Sequence, residues 1–202
     1  TGTATATDTN GNVLKIEYSA NGTDWTTDPS TIRATEVKDS KTVQVRVSSE
    51  GNYAGYVTGT QKLTITKRPI TLTGSGWTTD QPYTGTEYKK TEYTIEPVNE
   101  ENNRGLVAGQ DVAATYEISG TKVGDYTGVF GETVTITANG VDVTANYDIT
   151  KTPGTLKIVA SEIAKYVTLT PVDVTEVYDG EAHATGTATA TDTNGNVLKI
   201  EY

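Results

Sequence analysis

The chain has 202 residues, 34% hydrophobic and 21% charged, enough apolar side chain for packed cores in one large or two ordinary domains and too much for a disordered polymer. Its net charge is −10, with 26 acidic against 16 basic residues and no basic stripe, which excludes a nucleic-acid-binding surface. No Cys and no Met are present, so there is no disulfide scaffold or thiolate metal site, and no apolar run approaches the ~20 residues that cross a bilayer.

In chain order the patterning is that of strands. "NVLKIEYS" at Asn12 to Ser19 puts Leu14, Ile16 and Tyr18 on one face and Lys15 and Glu17 on the other. "TVQVRVS" at Thr42, "KLTIT" at Lys62, "TVTIT" at Thr133 and "TLKIV" at Thr155 alternate apolar with polar residues, the period-2 signature of half-buried strands. Turn signals stand between them at Asn10-Gly11, Asn21-Gly22, Asn139-Gly140 and Asp179-Gly180. Threonine fills about one position in five, which suits a pleated backbone with one face in water. No segment reads as an amphipathic helix, so the predicted class is all-β.

Two repeats organise the chain. "TGTATATDTNGNVLKIEY" at Thr1–Tyr18 recurs without a change at Thr185–Tyr202, a period of 184 residues and the mark of a tandem array. A weaker repeat lies inside that period. "VTLT" at Val167 is followed by "YDG" at Tyr178, and "ITLT" at Ile70 by "YTG" at Tyr83. Asn52-Tyr53 precedes "KLTI" and Asn146-Tyr147 precedes "TLKI". Each period therefore holds two divergent modules: residues 1–68 are the C-terminal part of one, 69–161 a complete second, and 162–202 the N-terminal part of the next. "TKRPIT" at Thr66 to Thr71 joins them with almost no slack, and Pro69 fixes φ there.

The motif residues have structural roles in this reading. Tyr178 before Gly180, and Tyr83 before Gly85, pack a ring over a turn whose glycine takes positive φ. Asn52 and Asn146 bond their own backbone or turn left-handed, while Tyr53 and Tyr147 anchor the following strand; Trp25 and Trp77 are core or edge anchors.

"YDGEAHATG", "GVDVTANYDITKTPGTLKI" and "KLTITKRPITLT" resemble the MBG and YDG-type repeat modules of large surface proteins of Gram-positive and gut bacteria, and "YSANGTDWTTDP" is similar to bacterial immunoglobulin-like repeats. The likeness covers nearly the whole chain. It implies an extracellular, cell-surface or cell-wall-attached adhesin-like protein whose modules form a stalk or a binding surface, with neighbouring repeats as partners; some relatives are labelled mucin-binding. The predicted fold is tandem immunoglobulin-like β-sandwich modules joined end to end, with β-grasp modules as the alternative.

Chemistry is sparsely encoded. His183 is the only histidine, so no His pair and no Ser-His-Asp triad can be assembled, and "DTNGN" at Asp8 has its glycine at the wrong place for a calcium loop and reads as a hairpin turn. "GSG" at Gly74 lacks the third glycine of a dinucleotide site, and Glu100-Glu101 has no partner carboxylate. No enzyme and no cofactor is expected; calcium between modules would use scattered acids such as Asp142, Asp173 and Asp179. Modules of the resembled kind sometimes carry a Lys–Asn isopeptide cross-link, for which no trio stands out here. A host glycan or surface protein is the alternative partner, and Tyr56, Tyr88, Tyr93 and Tyr126, which lie in polar stretches, are the candidate ligand-facing rings.

Overall fold

The computed structural model describes residues 2–48 and 53–201. Strands take 44% of the chain and helices 7%, so the all-β expectation holds. The strands are β1 (Ile16–Ser19), β2 (Lys41–Ser48), β3 (Tyr56–Leu63), β4 (Arg68–Gly74), β5 (Gln81–Pro82), β6 (Tyr88–Lys90), β7 (Tyr93–Ile95), β8 (Gln110–Gly120), β9 (Gly124–Thr127), β10 (Val129–Ala138), β11 (Val141–Asp142), β12 (Tyr147–Thr152), β13 (Thr155–Val159), β14 (Val167–Thr170) and β15 (Thr189–Asp192), with one helical turn, α1 (Ile163–Tyr166). They are ordered β1-β2-β3, β11-β10-β8-β6, β12-β4-β7, β5-β13-β9 and β14-β15.

The chain divides into two compact units that do not follow sequence order. Unit 1 gathers residues 1–70, 97–111 and 135–149. Its base is the antiparallel meander β1-β2-β3, in which Tyr18 faces Val45 and Val43 faces Gln61. Tyr18 and Val43 are buried, as are Ile70, Ile136 and Tyr147. Unit 1 also contains the joining segment as far as Ile70. Arg68 donates from Nε to the Gly105 carbonyl at 2.8 Å and from its guanidinium to that of Arg104 at 2.8 Å, while the Val37 amide donates to Asn146 Oδ1 at 2.8 Å. These bonds fasten the joining strand to the loop after Pro97, and the turn before β2 to the turn before β12.

Unit 2 gathers residues 71–96, 112–134 and 150–202. Its core is Tyr116, Ile118, Leu156 and Ile158, with Trp77, Tyr83, Tyr88, Tyr93, Tyr126 and Phe130 packed against it. Strict alternation produces this: Tyr116 and Ile118 are two apart on β8, Leu156 and Ile158 two apart on β13, so each pair points to one face. Tyr116 lies 4.8 Å from Phe130, and its hydroxyl donates to the Ser75 carbonyl at 2.7 Å and accepts from the Gly154 amide at 3.0 Å, so the polar tip is satisfied inside the core. β13 receives β9 antiparallel and β5 parallel. β4 pairs with β7 (Leu72 opposite Ile95) and β14 with β15 (Leu169 opposite Ala190), so the two "TLT" strands take the same antiparallel partner position.

Candidate functional site

Residues 6–14 and their copy at 190–198, within the duplicated stretch, fold into the same hairpin. In the first copy Asp8 N donates to the Asn12 carbonyl at 3.0 Å, Leu14 N to Ala6 at 2.9 Å and Gly11 N to Asp8 at 3.0 Å. In the second, Asp192, Leu198 and Gly195 make the same bonds to Asn196, Ala190 and Asp192 at the same three distances. The loop is Thr9-Asn10-Gly11, closed by a glycine at φ 83°, and its copy has Gly195 at φ 82°, the left-handed residue that a three-residue hairpin loop requires. The Asp8 carboxylate ties the loop down, accepting the Asn10 and Asn12 amides at 2.9 and 2.8 Å and Asn12 Nδ2 at 2.8 Å; Asp192 does the same with Asn194 and Asn196. Those bonds, the Asn12 side chain first, then Tyr53, hold the Asp8 carboxyl down to about 2 from 3.8, and Asp192 is lowered with its Asn196 side chain as first cause.

What differs is the partner of each hairpin. The first copy pairs its second strand, β1, with β2, whereas the second pairs its first strand, β15, with β14. Each leaves an open apolar groove. One, of about 520 Å³, is lined by Thr3 to Thr7, Val13 to Ile16, Tyr18 and Thr27. The other, of about 350 Å³, is lined by Ile163, Ala164, Val167, Leu169, Ala190 and Leu198 to Ile200. Ala6, Leu14, Lys15 and Ile16 in the first are Ala190, Leu198, Lys199 and Ile200 in the second.

A second surface lies on the solvent face of β1-β2-β3. The Ser19 hydroxyl accepts the Gly22 amide at 2.9 Å, and Asn21 Oδ1 accepts those of Thr23 and Asp24 at 3.0 and 2.9 Å, so "YSANGTDW" is a closed turn that delivers Trp25 over the sheet. Arg46 lies with Cζ 3.9 Å from the Trp25 ring centroid and 5.5 Å from that of Tyr56, and its Nε donates to Glu17 Oε2 across the ladder at 2.7 Å. Trp25, Thr42, Gln44, Thr58 and Thr60 border a groove of about 540 Å³. Sequence reading took Trp25 as an anchor; the signal for a surface role was the polar alternation Thr42, Gln44, Arg46 on the strand opposite Glu17.

Of the four candidate rings only Tyr56 is exposed, and it lies beside Arg46. Tyr88, Tyr93 and Tyr126 pack against the core of unit 2, and their hydroxyls are engaged with the Pro82 carbonyl, the Ala114 amide and the Lys122 carbonyl. Among the motif residues, Tyr147 is buried, with its hydroxyl donating to Gln110 Oε1 at 2.7 Å, while Tyr53 is about half exposed and donates to Asp8 Oδ2 at 2.8 Å. Asn146 accepts the Val37 amide rather than capping its own turn. Asn52 lies outside the described residues. Gly85 and Gly180 have φ 77° and 88°; Tyr83 packs on the core, whereas the Tyr178 ring stands free at 93% exposure. Asp142 accepts the Thr144 amide, and Asp179 accepts the Glu181 amide and meets His183 Nε2 at 2.9 Å. Among the described residues no three His, Cys, Asp or Glu side chains are gathered to hold a metal ion.

No protein-family model, curated protein or solved structure matches the chain.

Proposed function

We propose that this chain is a stretch of the repeat array of a bacterial cell-surface, adhesin-like protein, in which tandem two-sheet, immunoglobulin-like modules form a stalk that carries a distal binding region away from the cell wall. The observation that carries the reading is the duplicated hairpin: residues 6–14 and 190–198 keep the same hydrogen bonds in two settings, one hairpin bonded to β2 and the other to β14. A module in which one copy held both partners would be closed, and its period would be the 184 residues of the sequence repeat. With two modules per period, each as long as β8 (11 residues) at ~3.3 Å rise, one period adds roughly 70 Å. Small-angle scattering on chains of one, two and three periods should show the maximum dimension growing linearly by that increment; growth that flattens with copy number would overturn the stalk.

A second reading is favoured by one observation, the Trp25 and Tyr56 rings that both lie near Arg46, with Trp25 bordered by Gln44, Thr42, Thr58 and Thr60, the composition of a shallow sugar platform. In that reading each repeat binds a host glycan weakly and the array gains by multivalency. Glycan-array binding by a three-period chain that disappears in Trp25→Ala would establish it, and equal signal from wild type and variant would remove it.

A further inference from the structure

Four Asn-Gly pairs stand in the chain, at Asn10, Asn21, Asn139 and Asn194, and each asparagine is exposed. In such a pair the glycine has no side chain to keep its backbone nitrogen away from the neighbouring carboxamide, so the asparagine is prone to lose its amide. Sequence and exposure do not separate the four. Their hydrogen bonds do.

At Asn21 both reacting groups are tied. Its Oδ1 accepts from the Ser19 hydroxyl and from the Thr23 and Asp24 amides at 3.0, 3.0 and 2.9 Å, and its Nδ2 donates to Asp24 Oδ2 at 2.6 Å. The Gly22 amide is given to Ser19 Oγ at 2.9 Å. At Asn10 and its copy Asn194 the glycine nitrogen is held, since the Gly11 amide donates to the Asp8 carbonyl and the Gly195 amide to the Asp192 carbonyl, both at 3.0 Å. Asn194 Nδ2 also reaches the Thr84 carbonyl at 3.5 Å. Asn139 and Gly140 differ: they are the two-residue loop between β10 and β11, with φ 49° and 80°, the positive pair that a type I′ turn requires. The ladder on either side of that loop pairs Ala138 with Val141, and among the described residues neither the Asn139 carboxamide nor the Gly140 amide has a hydrogen-bond partner. β11 is two residues long and lies at the edge of its sheet beside β10, so the loop opens at small cost.

We infer that Asn139 is a site of spontaneous covalent modification and that it changes first among the four. The Gly140 nitrogen, giving up its proton, bonds to the side-chain carbonyl carbon of Asn139; the bond to Nδ2 breaks and ammonia leaves. One water then opens the five-membered succinimide at either carbonyl, giving aspartate, or isoaspartate in which the chain runs through the side-chain carbon. No electrons are transferred, and the balance is one water in and one ammonia out. Either product puts a negative charge on the loop three residues before Asp142, and isoaspartate adds a backbone atom to a loop built for two residues, which loosens β11 from β10. Only this hairpin is involved, so the inference can fail while the stalk reading stands.

The test warms the whole chain at mildly alkaline pH, with and without urea, and samples it over days. Trypsin places the four asparagines in separate peptides, residues 1–15, 16–33, 123–151 and 166–199, and mass spectrometry reads the conversion in each. One net hydrogen bond is worth a factor of about 5, so Asn139 should convert roughly 5-fold faster than Asn10, with Asn194 no faster than Asn10. Asn21, with both groups tied, should be slowest, at least ~10-fold behind Asn139. In urea the four rates should converge, because the bonds that separate them are gone. A folded-state rate at Asn139 no higher than at Asn10, or a lead that persists unchanged in urea, would overturn the inference.

Discussion

Two segments of unit 2 carry the same landmark and have different fates. Trp77 to Gly85 lies on a finished core: β5 runs parallel to β13, the Tyr83 amide donates to the Val159 carbonyl at 2.8 Å, and the Tyr83 ring packs on the cluster around Leu156. Val174 to Gly180 has no strand, and Val177 is 86% exposed. The turn chemistry is the same, since both glycines sit at positive φ. The first has "TLKIV" beside it as a receiving strand, and among the described residues no strand is paired with the second. A tyrosine-and-glycine motif therefore sets a local turn, and the packing around it comes from a strand far away in sequence.

The sharpest way to break that comparison is to cut the same side chain from each side. Leu156 is buried in β13, and Leu156→Ala should cost about 2–5 kcal/mol of stability by leaving a cavity among Tyr116, Ile118 and Ile158. Leu169, exposed on β14, should cost under about 1 kcal/mol when replaced by Ala. Urea unfolding of both variants reads this directly, and equal midpoints would mean that the 162–202 segment is as closely packed as the Trp77 segment.

The same contrast explains what the sequence made legible. Alternation located β2, β10 and β13 because each has one buried face, and it would have found β8, where Val112, Ala114, Tyr116 and Ile118 stand at every second position. "KLTIT" was read too far: β3 ends at Leu63, and the Ile65 amide donates to Ser40 Oγ at 2.9 Å instead of to a ladder. Local turns were legible for the reason that Asn-Gly pairs carry their own backbone preference; Asn139 and Gly140 both take positive φ between β10 and β11. The site was less so. Trp25 meets Arg46, and Tyr53 meets Asp8, only because β1, β2 and β3 lie side by side or a loop folds back, and no spacing along the chain encodes either pair.

The smallest expected effect separates the two identical hairpins most cleanly. Asp8 and Asp192 accept the same three bonds from their own loops, but among the described residues only Asp8 also accepts from a tyrosine. A carboxylate that accepts one more hydrogen bond resists protonation further, so in an NMR titration Asp8 should have its midpoint at about 2, with Asp192 lying above it and still below the ordinary value. Because the folded carboxyl is depressed below 3.8, its contribution to stability is fully present above that value and fades as pH falls toward about 2. Tyr53 runs the opposite way: the bond to Asp8 raises its hydroxyl above 10.0, so its contribution is present at neutral pH and is lost only as pH rises through the raised value. Tyr53→Phe should bring Asp8 up to the midpoint of Asp192 and leave Asp192 unmoved. Coincident titrations in the unmodified chain, or an Asp8 midpoint indifferent to the substitution, would show that Tyr53 does not hold the first hairpin.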